Sequence, residues 1–176
     1  LLNHQKAEGN FIYARNIILD ETEDDDNQVR QAGALWGISS LNRDRPTDST
    51  RNAVVRGLDF FHRCTKPLRL GHSAPVYPGG DVVKSGTVAL VCLSITELWR
   101  GQEAYLTDLA RGLYDTWLTT YLEYLRAMEM ENGSWGKEYF TASGERLAMS
   151  SPYYDGECLL AYCRAARYMG RTELVP

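Results

Sequence analysis

Cysteine is scarce in this chain, and what there is does not pair in sequence. Cys64, Cys92, Cys158 and Cys163 form no Cys-x-x-Cys unit. His4, His62 and His72 stand at no ligand-like interval from them, so no zinc site is expected. Cys92, Cys158 and Cys163 fall among apolar residues at helical spacing and are expected as buried free thiols. Unpaired thiols lean toward a cytoplasmic compartment. Positive charge is in deficit as well. There are 19 Lys and Arg against 23 Asp and Glu, a net charge of −4, and the arginines are scattered. Nucleic acid is therefore not an expected partner, because phosphate binding needs clustered cations. No apolar run reaches the roughly 20 residues of a membrane span. The longest candidate, residues 82–99, is broken by Lys84, Ser85, Ser94, Thr96 and Glu97. No phosphate loop, dinucleotide fingerprint or nucleophile elbow is present, so no cofactor and no hydrolase triad is expected. Met is missing from position 1. The chain is expected to be a piece of a larger protein, so the lack of a targeting signal carries no weight.

What is present is a block that occurs twice. Gly9-Asn10-Phe11-Ile12-Tyr13 is followed by a polar loop and then by Asn27-Gln28-Val29-Arg30-Gln31-Ala32-Gly33-Ala34-Leu35-Trp36-Gly37. Asn132-Gly133-Ser134-Trp135-Gly136 and Tyr139-Phe140 are followed by a second loop and by Ser151-Pro152-Tyr153-Tyr154-Asp155-Gly156-Glu157-Cys158-Leu159-Leu160-Ala161. Phe11 to Gly33 is 22 residues and Trp135 to Gly156 is 21. An aromatic strand feeds a loop, which feeds a Gly-containing apolar helix. Such spacing points to an array of similar units. With 44 % hydrophobic and 24 % charged residues, the 176 residues can form one domain with a sizeable core.

Helical periodicity organises most of the chain. Residues 8–19 read as a short strand or hairpin, and the acidic run 20–26 as a solvated loop. A helix is expected from Gln28 to Leu41, ended by Arg43-Asp44-Arg45-Pro46. Thr47 or Asp48 can cap a second helix reaching Arg63. Residues 64–81 carry Pro67, Gly71, Pro75, Pro78, Gly79 and Gly80 and read as a long loop. Asp81 can cap the next helix, Val82 to Trp99. Arg100-Gly101-Gln102 reads as a turn. A long helix is then expected from Glu103 to about Met130, with Leu106, Leu109, Leu113, Trp117, Tyr121, Leu125 and Met128 as its apolar stripe. Trp135 to Phe140 is a short strand. A last helix, Tyr154 to Met169, has Leu159, Leu160, Cys163 and Ala166 on one side, with Gly170 as its C-cap. Thr172-Glu173-Leu174 reads as the start of another helix. The chain thus holds two αα-hairpins and half of a third.

Those motifs together resemble the α/α-toroid proteins, including six-hairpin glycosidases, acylglucosamine-type sugar epimerases and related bacterial toroids. The resemblance implies an all-α fold over residues 1–176, with αα-hairpins in a partial or complete toroid and short β-hairpins in the rim loops. A complete six-hairpin ring needs about twice this length. An incomplete ring leaves apolar faces exposed, so self-association or docking onto missing hairpins is expected.

In such a ring the starts of the inner helices converge on one pocket. Asn27 and Arg30 before Gly33, Asp81 and Lys84 before Gly86, and Tyr153, Tyr154, Asp155 and Glu157 around Gly156 fall there in register. Carboxylates, a guanidinium and phenols on one rim suit a carbohydrate ligand. Asp81, Asp155 and Glu157 are the candidate acid/base groups. Asn27, Arg30, Trp135, Tyr153 and Tyr154 are the candidate substrate contacts. A glycosidase-like reaction would need two carboxyl groups ~5–5.5 Å apart for retention or ~6.5–9.5 Å for inversion. Asp81 with Asp155 or Glu157 is the pair to examine. An epimerase-like reaction would need one base, with Arg30 clamping an anionic group. The same residues also have structural uses. Asp81 can be a helix cap, Asp155 and Glu157 suit a first helical turn, and Arg30 can pair with the Asp24–Asp26 run. Trp36, Trp99 and Trp117 lie on apolar stripes and read as core. A helical-repeat scaffold or accessory domain binding a glycan, peptide or partner domain is the alternative to an enzyme.

Overall fold

The computed structural model describes residues 1–22, 25–102 and 106–174. Five helices carry the chain: α1 (Gln28–Asp44), α2 (Asp48–Arg63), α3 (Ser85–Gln102), α4 (Asp108–Ala127) and α5 (Pro152–Met169). α1 and α2 form one antiparallel hairpin, α3 and α4 a second, and α5 with the 3-10 turn Thr172–Leu174 begins a third. α3 packs on α1 and on α5, so these three lie side by side, with α2 and α4 on the outside.

α3 is central because almost everything on it is apolar or satisfied. Val88, Ala89, Leu90, Val91, Cys92, Leu93, Ile95 and Leu98 are all buried. Each aliphatic side chain of this size contributes roughly 1.5–3 kcal/mol when fully buried. Its buried hydroxyls bond back along the helix, Ser94 Oγ donating to Leu90 O and Thr96 Oγ1 to Cys92 O. α2 starts where Thr47 and Thr50 cap each other reciprocally.

Every short strand lies at one end of this layer. β1 (Arg15–Asn16) and β2 (Glu21–Thr22) form a hairpin ahead of α1. β3 (Thr65–Pro67) and β4 (Ser73–Pro75) form another between α2 and α3. β5 (Val82–Lys84), β6 (Glu138–Phe140) and β7 (Arg146–Leu147) make an antiparallel sheet that precedes both α3 and α5. The rim therefore gathers where α1, α3 and α5 begin.

Several expectations are corrected. Residues 82–84 are strand, paired Val82↔Phe140, Val83↔Tyr139 and Lys84↔Glu138, so α3 starts at Ser85 and Asp81 caps no helix. The β-branched Val82 and Val83 gain a ladder that a helix would not offer. Arg100-Gly101-Gln102 is helical rather than a turn. α4 starts at Asp108, capped by Thr107, whose hydroxyl accepts from Ala110 N; the expected start at Glu103 lies outside the described residues. Residues 65–67 and 73–75 are paired strand within the expected loop. Leu109 is 86 % exposed and Leu113 also faces out, the core side of α4 being Tyr114, Trp117, Leu118, Tyr121, Leu122, Tyr124 and Leu125. On α5 the buried residues are Cys158, Ala161, Tyr162 and Ala165; Leu159 and Cys163 are exposed. Ile17 and Ile18 sit exposed at the tip of the first hairpin. No described helix is long and apolar enough to cross a membrane.

Candidate functional site

The starts of α3 and α5 are brought together by Gly86. A Cβ there would stand 2.5 Å from Tyr154 Cδ1 and 2.7 Å from Glu157 Oε2. Only glycine lets the Tyr154 ring and the Glu157 carboxyl lie directly on the first turn of α3. Gln28 of α1 joins the same region, donating to Val82 O at 3.1 Å and accepting from Thr87 Oγ1 at 3.1 Å. Ser85 Oγ donates to Gly136 O at 2.6 Å and ties the start of α3 to the loop before β6. Lys84 and Glu138 face each other across the β5–β6 ladder at 3.9 Å, both largely covered.

Glu157 is electrostatically unusual. Its Oε2 is buried without a hydrogen-bond partner. Burial alone pushes its carboxyl up from 4.5 to about 7. The Tyr154 hydroxyl is raised too, first by burial and then by the negative charges of Glu138 and Glu157. Glu157 and Tyr154 thus lie against the first turn of α3, with Gln28 of α1 beside that turn and the Lys84–Glu138 pair on the strands that lead into it.

The other sequence candidates are placed as follows. Asp155 accepts from Trp135 N at 2.9 Å and anchors that loop to α5. Trp135 is 7 % exposed, its ring edge-on to Tyr162 at 5.5 Å, so it packs inward rather than lining a cleft. Tyr153 is 80 % exposed. Asn27 caps α1, its Oδ1 accepting from Val29 N and Arg30 N. Arg30 donates to the Tyr13 hydroxyl at 2.5 Å and leans on that ring. Of the acidic run expected as its partner, Asp26 instead accepts from Gln31 Nε2 and the Tyr77 hydroxyl, and Asp24 lies outside the described residues. Asp81 is exposed at the far end of β5, three strand residues or about 10 Å from Lys84. Among the described residues no group of His, Cys, Asp and Glu could hold a metal ion.

Sequence reasoning missed Glu138 entirely and placed Lys84 on a helix. Their signal was a pair of short β-branched and aromatic runs, Val82-Val83 and Tyr139-Phe140. Nothing in the sequence showed that these runs pair across an intervening helical hairpin.

No protein-family model matches the chain, and no curated protein matches it in sequence. The fold is similar to that in the crystal structure of D-mannose isomerase, with a TM-score of 0.62 and 15 % identity. The match covers 96 % of this chain and 44 % of that one. The chain thus spans less than half the length of that isomerase. At this identity the likeness shows the fold alone, helical hairpins with short β-hairpins between them, and leaves function to the residues.

Proposed function

We propose that this chain contributes a carbohydrate site of sugar isomerase or epimerase type, with Glu157 as the acid/base group. The observation that carries the reading is the Glu157 carboxyl, buried with one oxygen unpartnered at the meeting point of α3, α5 and the β5–β6 ladder. With its proton affinity set near pH 7, it is both protonated and ionised in neutral solution, as proton transfer in either direction requires. In aldose–ketose isomerisation a base removes the proton on C2 and returns it to C1, while a hydroxyl proton moves between the oxygens. In epimerisation the proton returns to the opposite face of the same carbon. One carboxyl of intermediate proton affinity can begin either reaction.

Lys84 and Glu138 supply a cation and an acceptor for sugar hydroxyls, and Tyr154 an apolar face with a phenol. Asp155 acts through the Trp135 loop, as a positioning residue. Asp81 precedes β5 while Glu157 lies against Gly86 beyond its other end, a spacing that favours the one-base reading over a two-carboxylate glycosidase. The choice of an aldose such as D-mannose as the first ligand to try follows from the similar fold.

The test is a thermal-shift titration with D-mannose and D-fructose, on the wild type and on Glu157→Gln and Lys84→Met. A ligand at 100 times its dissociation constant stabilises by about 2.7 kcal/mol. The expected result is a shift in the wild type that is weakened in Lys84→Met. No shift with these or with N-acylated hexoses would favour the scaffold reading, in which the rim only holds helices together.

A further inference from the structure

The opposite end of the inner helices carries a concentration of positive charge that the sugar reading does not use. Arg43 lies in the last turn of α1, Arg100 near the end of α3, and Arg164 and Arg167 near the end of α5. Gly101 lets α1 and α3 close there, since a Cβ on it would meet Arg43 Cα at 2.6 Å. Between them is a cleft of about 480 Å³, walled by these arginines with Cys163 and Tyr168.

Two carboxylates answer the four guanidiniums. Asp44 holds Arg43 in a two-point pair, at 2.7 and 2.8 Å. Glu97, with no exposed side-chain surface, is shared by Arg43 at 2.5 Å, Arg100 at 3.2 Å and Arg164, whose Nη1 lies against Oε1. Four positive charges against two leave an excess of two. Arg167 pairs with no carboxylate among the described residues; it and Arg100 lean on the Tyr168 ring, at 5.3 and 4.0 Å. Burial, and then the like charge of Arg43, pull the Arg164 guanidinium below its usual range. The C-termini of α1, α3 and α5 bring about half a negative charge each, confined to their last turns. That offsets part of the excess. None of the four arginines donates to a helix-terminal carbonyl among the described residues, however, and Arg164 stands more than a turn before the end of α5.

We propose that this cleft binds a phosphate dianion, free or as a phosphomonoester. Arg167, without a carboxylate partner among the described residues, lines the cleft beside three further arginines, and forked guanidiniums suit tetrahedral oxyanions. Arg164 and Arg167 stand seven and ten residues along α5 from Glu157, about 10 and 15 Å, so a ligand on them lies away from the reacting group. It is a second site, independent of the sugar reading.

Cys163 offers a built-in reporter, exposed on the wall of the cleft. The experiment follows iodoacetamide alkylation of Cys163 by peptide mass mapping, at constant ionic strength, with Cys64 as an internal control. Inorganic phosphate is expected to slow alkylation of Cys163 in a saturable way and to leave Cys64 unchanged. Arg167→Gln, an exposed change that spares Glu97, is expected to weaken that protection about tenfold, as loss of one charge-assisted contact implies. A parallel arm with glycerol phosphate separates the sources. Tighter protection by the ester points to a phosphomonoester, and equal protection points to free phosphate. Protection equalled by chloride, or unchanged in Arg167→Gln, would overturn the proposal.

Discussion

At the scale of single residues, the site depends on one missing side chain and one isolated carboxyl. Gly86→Ala would push a methyl into the Tyr154 ring and Glu157 Oε2. It should destabilise by about 1–3 kcal/mol, as overpacking does, and abolish sugar binding; urea unfolding with a parallel titration checks both. Glu157 makes a pH prediction. Its proton affinity is raised in the folded state, from 4.5 to about 7. The folded protein therefore holds that proton more tightly than the unfolded chain does. The resulting stability is fully present below about pH 4.5 and is lost as the pH rises through about 7. Glu157→Gln should match the wild type near pH 4. Above about pH 8 it should be the more stable by about 1–2 kcal/mol, a figure reduced because the carboxyl is only half buried. Equal melting temperatures at both pH values would place the carboxyl in water. The sequence showed Glu157 and Tyr154 as rim candidates, because an apolar helix follows Tyr153-Tyr154-Asp155-Gly156. It did not separate Glu157 from Asp155. That distinction depends on which carboxyl finds a backbone N–H, and Asp155 finds that of Trp135, twenty residues away.

At the scale of elements, the helices were legible, as were β6 and the hairpin ahead of α1, whereas β3, β4, β5 and β7 were not. The period of α1 and the reciprocal Thr47–Thr50 cap are local properties of the chain. Removing that cap with Thr47→Ala should cost about 1 kcal/mol, read as a lowered urea midpoint with an unchanged slope. β5 was misread as the first turn of α3, because an apolar run fits either period until its partner is known. The partner, β6, lies beyond the whole α3–α4 hairpin. The same error placed Asp81 at a helix start. The outward faces of Leu109, Leu113 and Leu159 were also misassigned. An apolar residue at helical spacing can lie at the edge of a stripe, and α4 and α5 had aromatic residues to place inward instead.

At the scale of the whole molecule, Glu97 joins three helices through Arg43, Arg100 and Arg164. Glu97→Gln would leave buried guanidiniums without their counter-charge. It should destabilise by about 3–5 kcal/mol in urea unfolding. A loss under about 1 kcal/mol would mean that water already solvates the cluster. The hairpin array was visible in the sequence as a repeated block, and the similar solved fold agrees with it. The convergence of strands at one end and arginines at the other was not visible, because it depends on helices of matched length lying side by side. The central claim is that Glu157 moves a sugar proton. It is tested most directly by incubating the protein with D-mannose in heavy water and following the C2 proton by NMR. The account predicts loss of the C2–H signal with the wild type and none with Glu157→Gln. Exchange that persists undiminished in Glu157→Gln would contradict it.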